Sequence, residues 1–154
     1  MIVQRGITSF FNWDERGVIP EFSIAEFKSI VFAVATPLGY AVSSVAERGV
    51  TPNFHSALLS KGDNAVSILG HSTYPIFAFA EPLQMHSCQL RFVDSEPLSR
   101  EIATLFPDVT VATTTELNRK LADNDLAKLD AAELEQVKYW EPQSVGDVAF
   151  NWWD

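Results

Sequence analysis

The sequence contains a single cysteine, Cys88, among 154 residues. One cysteine cannot form an intramolecular disulfide, and it excludes the paired-cysteine spacing of structural zinc sites. The lack of a disulfide framework fits a reducing compartment. The first residues also lack a basic region followed by a long apolar run and a small-residue cleavage site, so we expect no secretory signal. We therefore predict a cytoplasmic protein.

Basic residues are scarce, with 11 Lys and Arg against 20 Asp and Glu, for a net charge of −9. The imbalance is regional. Residues 78–154 hold six basic and fourteen acidic residues, for −8, whereas residues 1–77 hold five and six, for −1. This acidity disfavours binding to nucleic acid or to an anionic membrane, because both attract Lys and Arg. A basic protein partner would be attracted instead. The alternative is a hydrated helical surface that maintains solubility.

The acidic residues are densest between Glu116 and Glu141. We predict that carboxylates in this region steer a basic partner and accept hydrogen bonds from it. The candidate partner-binding acids are Asp123, Asp125, Asp130, Glu133 and Glu135.

Motifs for catalysis and phosphate binding are also missing. No serine lies in a G-x-S-x-G elbow, no histidine pair follows H-E-x-x-H, and the seven glycines form neither a P-loop nor a G-x-G-x-x-G cradle. The sequence therefore predicts no enzymatic activity, no catalytic residue, no metal site and no cofactor.

Two histidines offer an alternative function. His55 and His71 fall in predicted polar loops beside apolar segments, where functional side chains are often displayed. They could line a small-molecule or catalytic pocket. His86 and Cys88 lie two residues apart on a predicted strand, about 6 to 7 Å from each other, which is too far for a ready hydrogen bond. We therefore expect Cys88 to be a buried structural residue.

The length predicts one domain, residues 1–154, able to bury a core without metal or disulfides. The first two-thirds are expected to supply strands, because they hold apolar segments separated by turn residues. The predicted strands are residues 2–11 and 18–22 around a polar turn at 12–17, and then residues 65–70, 74–80 and 84–93.

Residues 29–46 are uncharged but contain Pro37 and Gly39, so we interpret them as two buried elements rather than a membrane span. Ser23 and Glu26 have the spacing of a helix capping box, which favours a helix here. The β-branched run from Ser29 to Ala35 favours a strand, and this is our prediction. Thr36 and Pro37 then predict the start of a helix that reaches Glu47.

Helical signals dominate the last third. Leu98, Ile102 and Leu105 recur at helical intervals before Pro107. Capping-box spacings begin at Thr113 and Asp130. Ser144 opens a short terminal helix, whose apolar stripe is Val145, Val148, Ala149 and Trp152. We predict an α+β fold, with a mainly antiparallel sheet from the first two-thirds and helices concentrated in the C-terminal third.

Three tryptophans stand beside Asn or Asp: Trp13, Trp152 and Trp153. Half-exposed rings of this kind are common anchors of protein interfaces. The alternative is that the terminal tryptophans hold the last helix against the body of the protein.

The C-terminal sequence combines Trp140-Glu141-Pro142, the pair Gly146-Asp147, and the ending Phe150-Asn151-Trp152-Trp153-Asp154. This tail resembles that of small bacterial proteins, some of which are similar to immunity proteins of toxin systems. The resemblance covers about a tenth of the chain. It implies a stoichiometric protein-binding module that neutralises a basic toxin or nuclease, with Trp140, Trp152 or Trp153 as anchors and no active site.

Overall fold

The computed structural model describes residues 2–11 and 19–154. Its strands are β1 (Ala41–Ala46), β2 (Phe54–Lys61), β3 (Asn64–His71), β4 (Ile76–Ala80), β5 (Phe92–Val93) and β6 (Thr110–Val111). Its helices are α1 (Ile24–Ala35), α2 (Glu96–Leu105), α3 (Thr114–Leu117), α4 (Asp123–Leu126), α5 (Ala131–Trp140) and α6 (Val145–Ala149). The sheet runs in the order β1-β2-β3-β4-β5 with antiparallel neighbours, and β6 pairs parallel with β4. The predicted α+β class, with a mainly antiparallel sheet, is confirmed.

Strand β4 separates two apolar cores. Its side chains alternate between the two faces of the sheet, as the period of a strand requires. Phe77 and Phe79 join the buried residues of α1 and α2 on the helix side. Ile76, Ala78 and Ala80 face the N-terminal segment, which we define as residues 2–11, and the C-terminal helices on the tail side. All five β4 residues are buried, so the continuous apolar run of this strand reflects coverage on both faces.

The prediction of a strand at Ser29–Ala35 is wrong, because α1 continues through it. The Ser23 side chain accepts a hydrogen bond from the Glu26 amide, as the capping box indicated. The buried residues of α1 recur at helical intervals and form one face against the sheet: Phe27, Ile30, Val31, Val34 and Ala35. Burial of this face outweighs the strand preference of the β-branched residues.

The predicted helix from Thr36 to Glu47 is also wrong. Thr36 is the C-cap of α1, and the chain then turns at Gly39, whose φ of 79° suits glycine. The Tyr40 amide donates to the Ala35 carbonyl and closes this turn. The chain then continues as β1, which pairs antiparallel with β2.

The N-terminal segment is not the strand that its composition predicted. Residues 5–9 form turns, with positive φ at Gly6 and Ser9. A Cβ on Gly6 would lie 2.8 Å from the Phe11 ring, so the position requires glycine on both counts. Side chains from distant elements satisfy much of this backbone, so no strand ladder is needed. Residues 12–17 and Val18 lie outside the described residues, and 19–22 contain no regular structure.

The middle of the chain holds one strand that was not predicted, and one that is far shorter than predicted. Strand β2 begins at Phe54, within the segment around His55 that the sequence predicts to be a polar loop. Predicted strands at 65–70 and 74–80 correspond to β3 and β4. Of residues 84–93, only Phe92 and Val93 form a strand. Residues 84–91 lie along the surface and form no strand ladder with any residue that the structure describes.

The C-terminal helices largely follow their predicted starts. Capping boxes at Thr113, Asp130 and Ser144 open α3, α5 and α6. Helix α3 ends at Leu117, and α4 is an additional short helix. Trp152 lies beyond α6, which ends at Ala149.

In the part of the chain that the structure describes, no helix combines the length and apolar character that crossing a membrane requires.

Candidate functional site

Glu133 accepts hydrogen bonds from the N-terminal segment, although the two are more than 120 positions apart in the sequence. Its side chain is fully buried, although it is the third residue of α5. Its carboxylate accepts from the Gly6 amide at 2.8 Å, the Thr8 amide at 3.2 Å and the Thr8 hydroxyl at 2.6 Å. The expectation that Glu133 contacts a partner is therefore wrong, because its oxygens are buried against residues 6 and 8.

His71 is a second buried anchor of the same segment. Nδ1 accepts from the amides of Thr73 and Tyr74, so the proton lies on Nε2, which donates to the Ile7 carbonyl at 2.7 Å. Burial lowers the pKa of His71 from 6.5 to about 4, with the hydrogen bond to Ile7 opposing the shift. His71 ends β3 rather than lying in a loop, and both of its nitrogens are engaged by backbone.

His55 is likewise not a loop residue. It lies in β2 and is 2% exposed. Its Nδ1 accepts from the Arg48 amide, and its Nε2 donates to the Phe22 carbonyl at 2.7 Å. The predicted histidine pocket is therefore wrong in its placement, since both histidines tie backbone segments together inside the fold.

Two asparagines connect the C-terminal tail to this network. The Asn53 side chain donates to the Ala149 carbonyl and accepts from the Asn151 amide. The Asn151 side chain donates to the carbonyls of Thr8 and Val148. Asn151, the asparagine of the C-terminal motif, therefore has a structural role, because it joins the N-terminal segment to α6.

The predicted acidic residues do not form one surface. Asp125 is 2% exposed and makes a two-point ion pair with Arg119, with N–O distances of 2.8 and 2.9 Å. The hydrogen bonds from Arg119 hold the pKa of Asp125 below its usual value. The prediction that Asp125 contacts a partner is therefore corrected. Its carboxylate oxygens accept hydrogen bonds from Arg119 and from the Ala122 amide inside the protein.

The other predicted acids differ in exposure. Asp130 is half-buried, caps α5 and lies 3.5 Å from the Arg5 guanidinium. Asp123 and Glu135 are exposed. Of the predicted set, these two have side chains that are exposed to solvent.

The tryptophans also differ. Trp153 is buried, Trp152 is half-buried against Phe54, and Trp140 is 38% exposed. The Trp140 and Trp153 rings are parallel, with centroids 6.4 Å apart. The buried tail ring thus supports the exposed helix ring. Trp13 lies outside the described residues.

Tyr139 is exposed and is not among the predicted site residues. Its side chain is 76% exposed, and its ring meets Trp140 edge-on at 5.1 Å. We call Tyr139 and Trp140 the aromatic pair. Tyrosine next to tryptophan at the end of an acidic helix is the sequence signal that could have identified this pair as a binding site. The sequence does not show that Tyr139 is exposed, because its exposure depends on which side of α5 packs against the rest of the protein.

An open cleft of about 580 Å³ lies on the tail side. Hydroxyl groups, aromatic rings and one ion pair line it. Ser9 and Ser72 share a hydrogen bond at 3.2 Å, and Arg48 lies 3.9 Å from Glu21. Trp153 also reaches the cleft. Its volume is in the range of small-molecule sites.

Cys88 is exposed, so the prediction that it is buried is wrong. Residues 84–91 leave the sheet, and this carries both Cys88 and His86 to the surface. Within residues 2–11 and 19–154, His, Cys, Asp and Glu side chains form no group of three that could hold a metal ion.

Comparison with known proteins found no family model, no curated protein and no solved structure that matches the chain. The relationship to toxin-immunity proteins is therefore a hypothesis that rests on the tail motif.

Proposed function

We propose that the chain is a stoichiometric protein-binding module that neutralises a basic bacterial toxin or nuclease by occupying its surface. The observation that carries this proposal is the exposed aromatic pair at the C-terminal end of α5. Trp and Tyr are enriched among the residues that dominate binding energy at interfaces. An exposed pair of such rings is a candidate anchor for a partner.

The aromatic pair is held in place before any partner arrives. The Trp140 ring lies against Trp153, and its Nε1 donates to the Gln136 side chain at 3.1 Å. Tyr139 packs edge-on against the same ring. Binding to a fixed ring avoids part of the entropic cost of ordering side chains. This rigidity supports a binding role for the pair.

The charge around the pair favours a basic partner. Glu135 lies one helical turn before Tyr139 on the same side of α5, and Glu141 follows Trp140. Both carboxylates are exposed, and Lys138 is the one basic residue in the last turn. Exposed acids beside aromatic anchors speed association with a basic surface. With Asp125 and Glu133 inside the protein, the steering acids we propose are Asp123, Glu135 and Glu141.

The test is capture from a bacterial lysate with tagged wild-type chain, Tyr139→Ala and Phe32→Ala. Phe32 is the matched control, because it is an aromatic residue 49% exposed on α1. We expect the wild-type chain and Phe32→Ala each to retain one basic protein, at about one molecule of that protein per chain. Tyr139→Ala should lose at least tenfold in affinity, which corresponds to about 1.4 kcal/mol.

A second variant isolates the charge contribution. Changing Glu135 and Glu141 to lysine should slow association with the captured protein at low salt and change dissociation little. High salt should reduce the difference from wild type, because exposed charges are screened. Equal capture by Tyr139→Ala, or an unchanged association rate in the charge variant, would contradict the proposed face.

The cleft supports a second candidate, a small-molecule site. Its hydroxyls and rings could orient a polar ligand, although the two buried histidines do not take part. A ligand for this cleft should raise the melting temperature of wild-type chain and of Arg91→Ala, and should fail to stabilise Arg48→Ala. Arg48 lines the cleft, whereas Arg91 is an exposed arginine outside it. Equal stabilisation of all three chains would show that the ligand binds outside the cleft.

A further inference from the structure

Strand β1 has an unusual composition for the edge of a sheet. It lies at the end of the strand order and, among the described residues, pairs only with β2. Its sequence, Ala-Val-Ser-Ser-Val-Ala, contains no charge and no proline. Edge strands are usually protected by lysine, proline or a covering element, because their free amides and carbonyls can pair with another chain. Four of the six β1 residues are exposed.

The sequence of β1 reads the same in both directions. If two copies pair antiparallel about a two-fold axis between Ser43 and Ser44, each alanine faces an alanine and each valine faces a valine. Opposed residues must lie on the same face of the joint sheet. In a regular strand Val42 and Val45, three residues apart, would lie on opposite faces, and this pairing would fail.

A bulge in β1 removes this conflict. The register pairs Val42 with Leu59 and Ser44 with Leu58, so Ser43 is an extra residue. Val45 pairs with Ala57. Leu59 and Ala57 are two residues apart on β2 and share the helix-side core, which Val42 and Val45 also contact. Both valines therefore face the same side. Bulges often blunt edges, but this one makes the strand complementary to itself.

Charges at the ends of β1 fit the same register. Tyr40 precedes the strand and Glu47 follows it, so each Glu47 would lie opposite Tyr40 of the second copy. The Lys61 ammonium lies 5.5 Å from the centroid of that tyrosine ring. A carboxylate from one copy would thus approach an ammonium of the other, twice by symmetry. The strand also belongs to the half of the chain with a net charge of only −1.

We infer that two copies of this chain associate through β1, pairing antiparallel so that their sheets become continuous. Such an interface is isologous, with the same strand contributed by each copy. The aromatic pair lies on α5 and outside this contact, so the inference does not depend on the proposed partner.

The test uses charge substitutions at Ser44, which is exposed and lies beside the proposed axis. Ser44→Lys alone and Ser44→Glu alone place two like charges close together at the interface. An equimolar mixture of the two variants places opposite charges there. Thr115→Lys is the matched control, because Thr115 is exposed on α3, outside β1. Circular dichroism and thermal melting establish that each variant is folded.

Sedimentation velocity over a concentration series measures the outcome. We expect wild-type chain and Thr115→Lys to reach twice the chain mass, each Ser44 variant to stay at the chain mass, and the mixture to recover the doubled mass. Native mass spectrometry of the mixture should show one copy of each variant. A monomeric wild-type chain at the highest soluble concentration would overturn the inference. A dimer that both folded Ser44 variants retain would overturn it as well.

Discussion

On the helix side of the sheet, α1 and α2 cover the strands with apolar residues. The tail side also has an apolar core, but there buried polar groups join the N-terminal segment to the C-terminal tail and to α5. Leu98, Ile102 and Phe79 represent the first side. Glu133 and His71 represent the second, with hydrogen bonds to residues more than sixty positions away. Apolar packing tolerates changes of pH. The tail side also depends on the protonation of His71 and on the hydrogen bonds that single residues such as Glu133 accept.

The largest expected loss of stability is on the helix side. Phe79→Ala removes a side chain that is 1% exposed and leaves a cavity between β4 and the helices. The free energy of unfolding should fall by about 3–5 kcal/mol. Urea denaturation at pH 7 and at pH 5 should give similar losses. A loss that appears only at low pH would break the distinction between the two sides.

On the tail side we expect a dependence on pH that comes from His71. Its pKa is about 4 in the folded protein, against 6.5 for an ordinary histidine. Between these values the unfolded chain binds a proton that the folded chain does not, so falling pH favours unfolding. The contribution of His71 is complete above about pH 6.5, and about 3 kcal/mol is lost by pH 4.

His71→Gln tests this dependence. The variant is less stable at pH 7, and the difference from wild type should shrink as the pH falls from 7 to 4. His86→Asn is the control, because His86 is an exposed histidine on the surface segment 84–91, outside the hydrogen bonds of His71. Parallel profiles for wild-type and His71→Gln chains would show that His71 does not carry the pH dependence.

Glu133→Ala should cost about 3 kcal/mol, since the buried amides of Gly6 and Thr8 lose their acceptor. Exchange of these amides with deuterated solvent should also accelerate, because the N-terminal segment is released. Glu135→Ala, two residues further along the same helix and exposed, should change stability by less than about 0.5 kcal/mol. Similar losses in both variants would contradict the assigned role of Glu133.

A smaller loss is expected at Gly70, where β3 passes beneath α1. An added Cβ would lie 2.5 Å from the Phe27 ring, so Gly70→Ala must displace this ring. The expected cost is about 1–3 kcal/mol, measured by thermal or urea denaturation. A double variant with Phe27→Leu should recover part of it. Additive losses in the double variant would show that the ring is not the obstacle.

The sequence predicts elements whose signals are local. Capping boxes at Thr113, Asp130 and Ser144 mark helix starts correctly because the cap and its partner are three residues apart. Where two local signals conflicted, at residues 29–35, the outcome depended on the sheet that buries α1. The turn at Gly39 then redirected the following segment into β1. Local propensity could not decide either case.

The candidate site was less accessible to prediction. The density of charge predicts that Glu133 and Asp125 are surface acids, but Glu133 contacts Thr8, 125 positions away in the sequence. Asp125 accepts a hydrogen bond from Arg119 across a turn that no sequence motif predicts. Tyr139 and Trp140 were visible as aromatics, but only the packing of α5 distinguishes the exposed ring from the buried Trp153. Exposure is a tertiary property, and therefore a pattern of residue types does not contain it.

The binding role of the aromatic pair is tested most directly by titration calorimetry of the captured protein into wild-type, Phe32→Ala and Tyr139→Ala chains. We expect one-to-one binding for the first two and at least tenfold weaker binding for Tyr139→Ala, with all three chains equally stable. Equal affinities for the three chains would contradict the claim that the aromatic pair on α5 is the binding face.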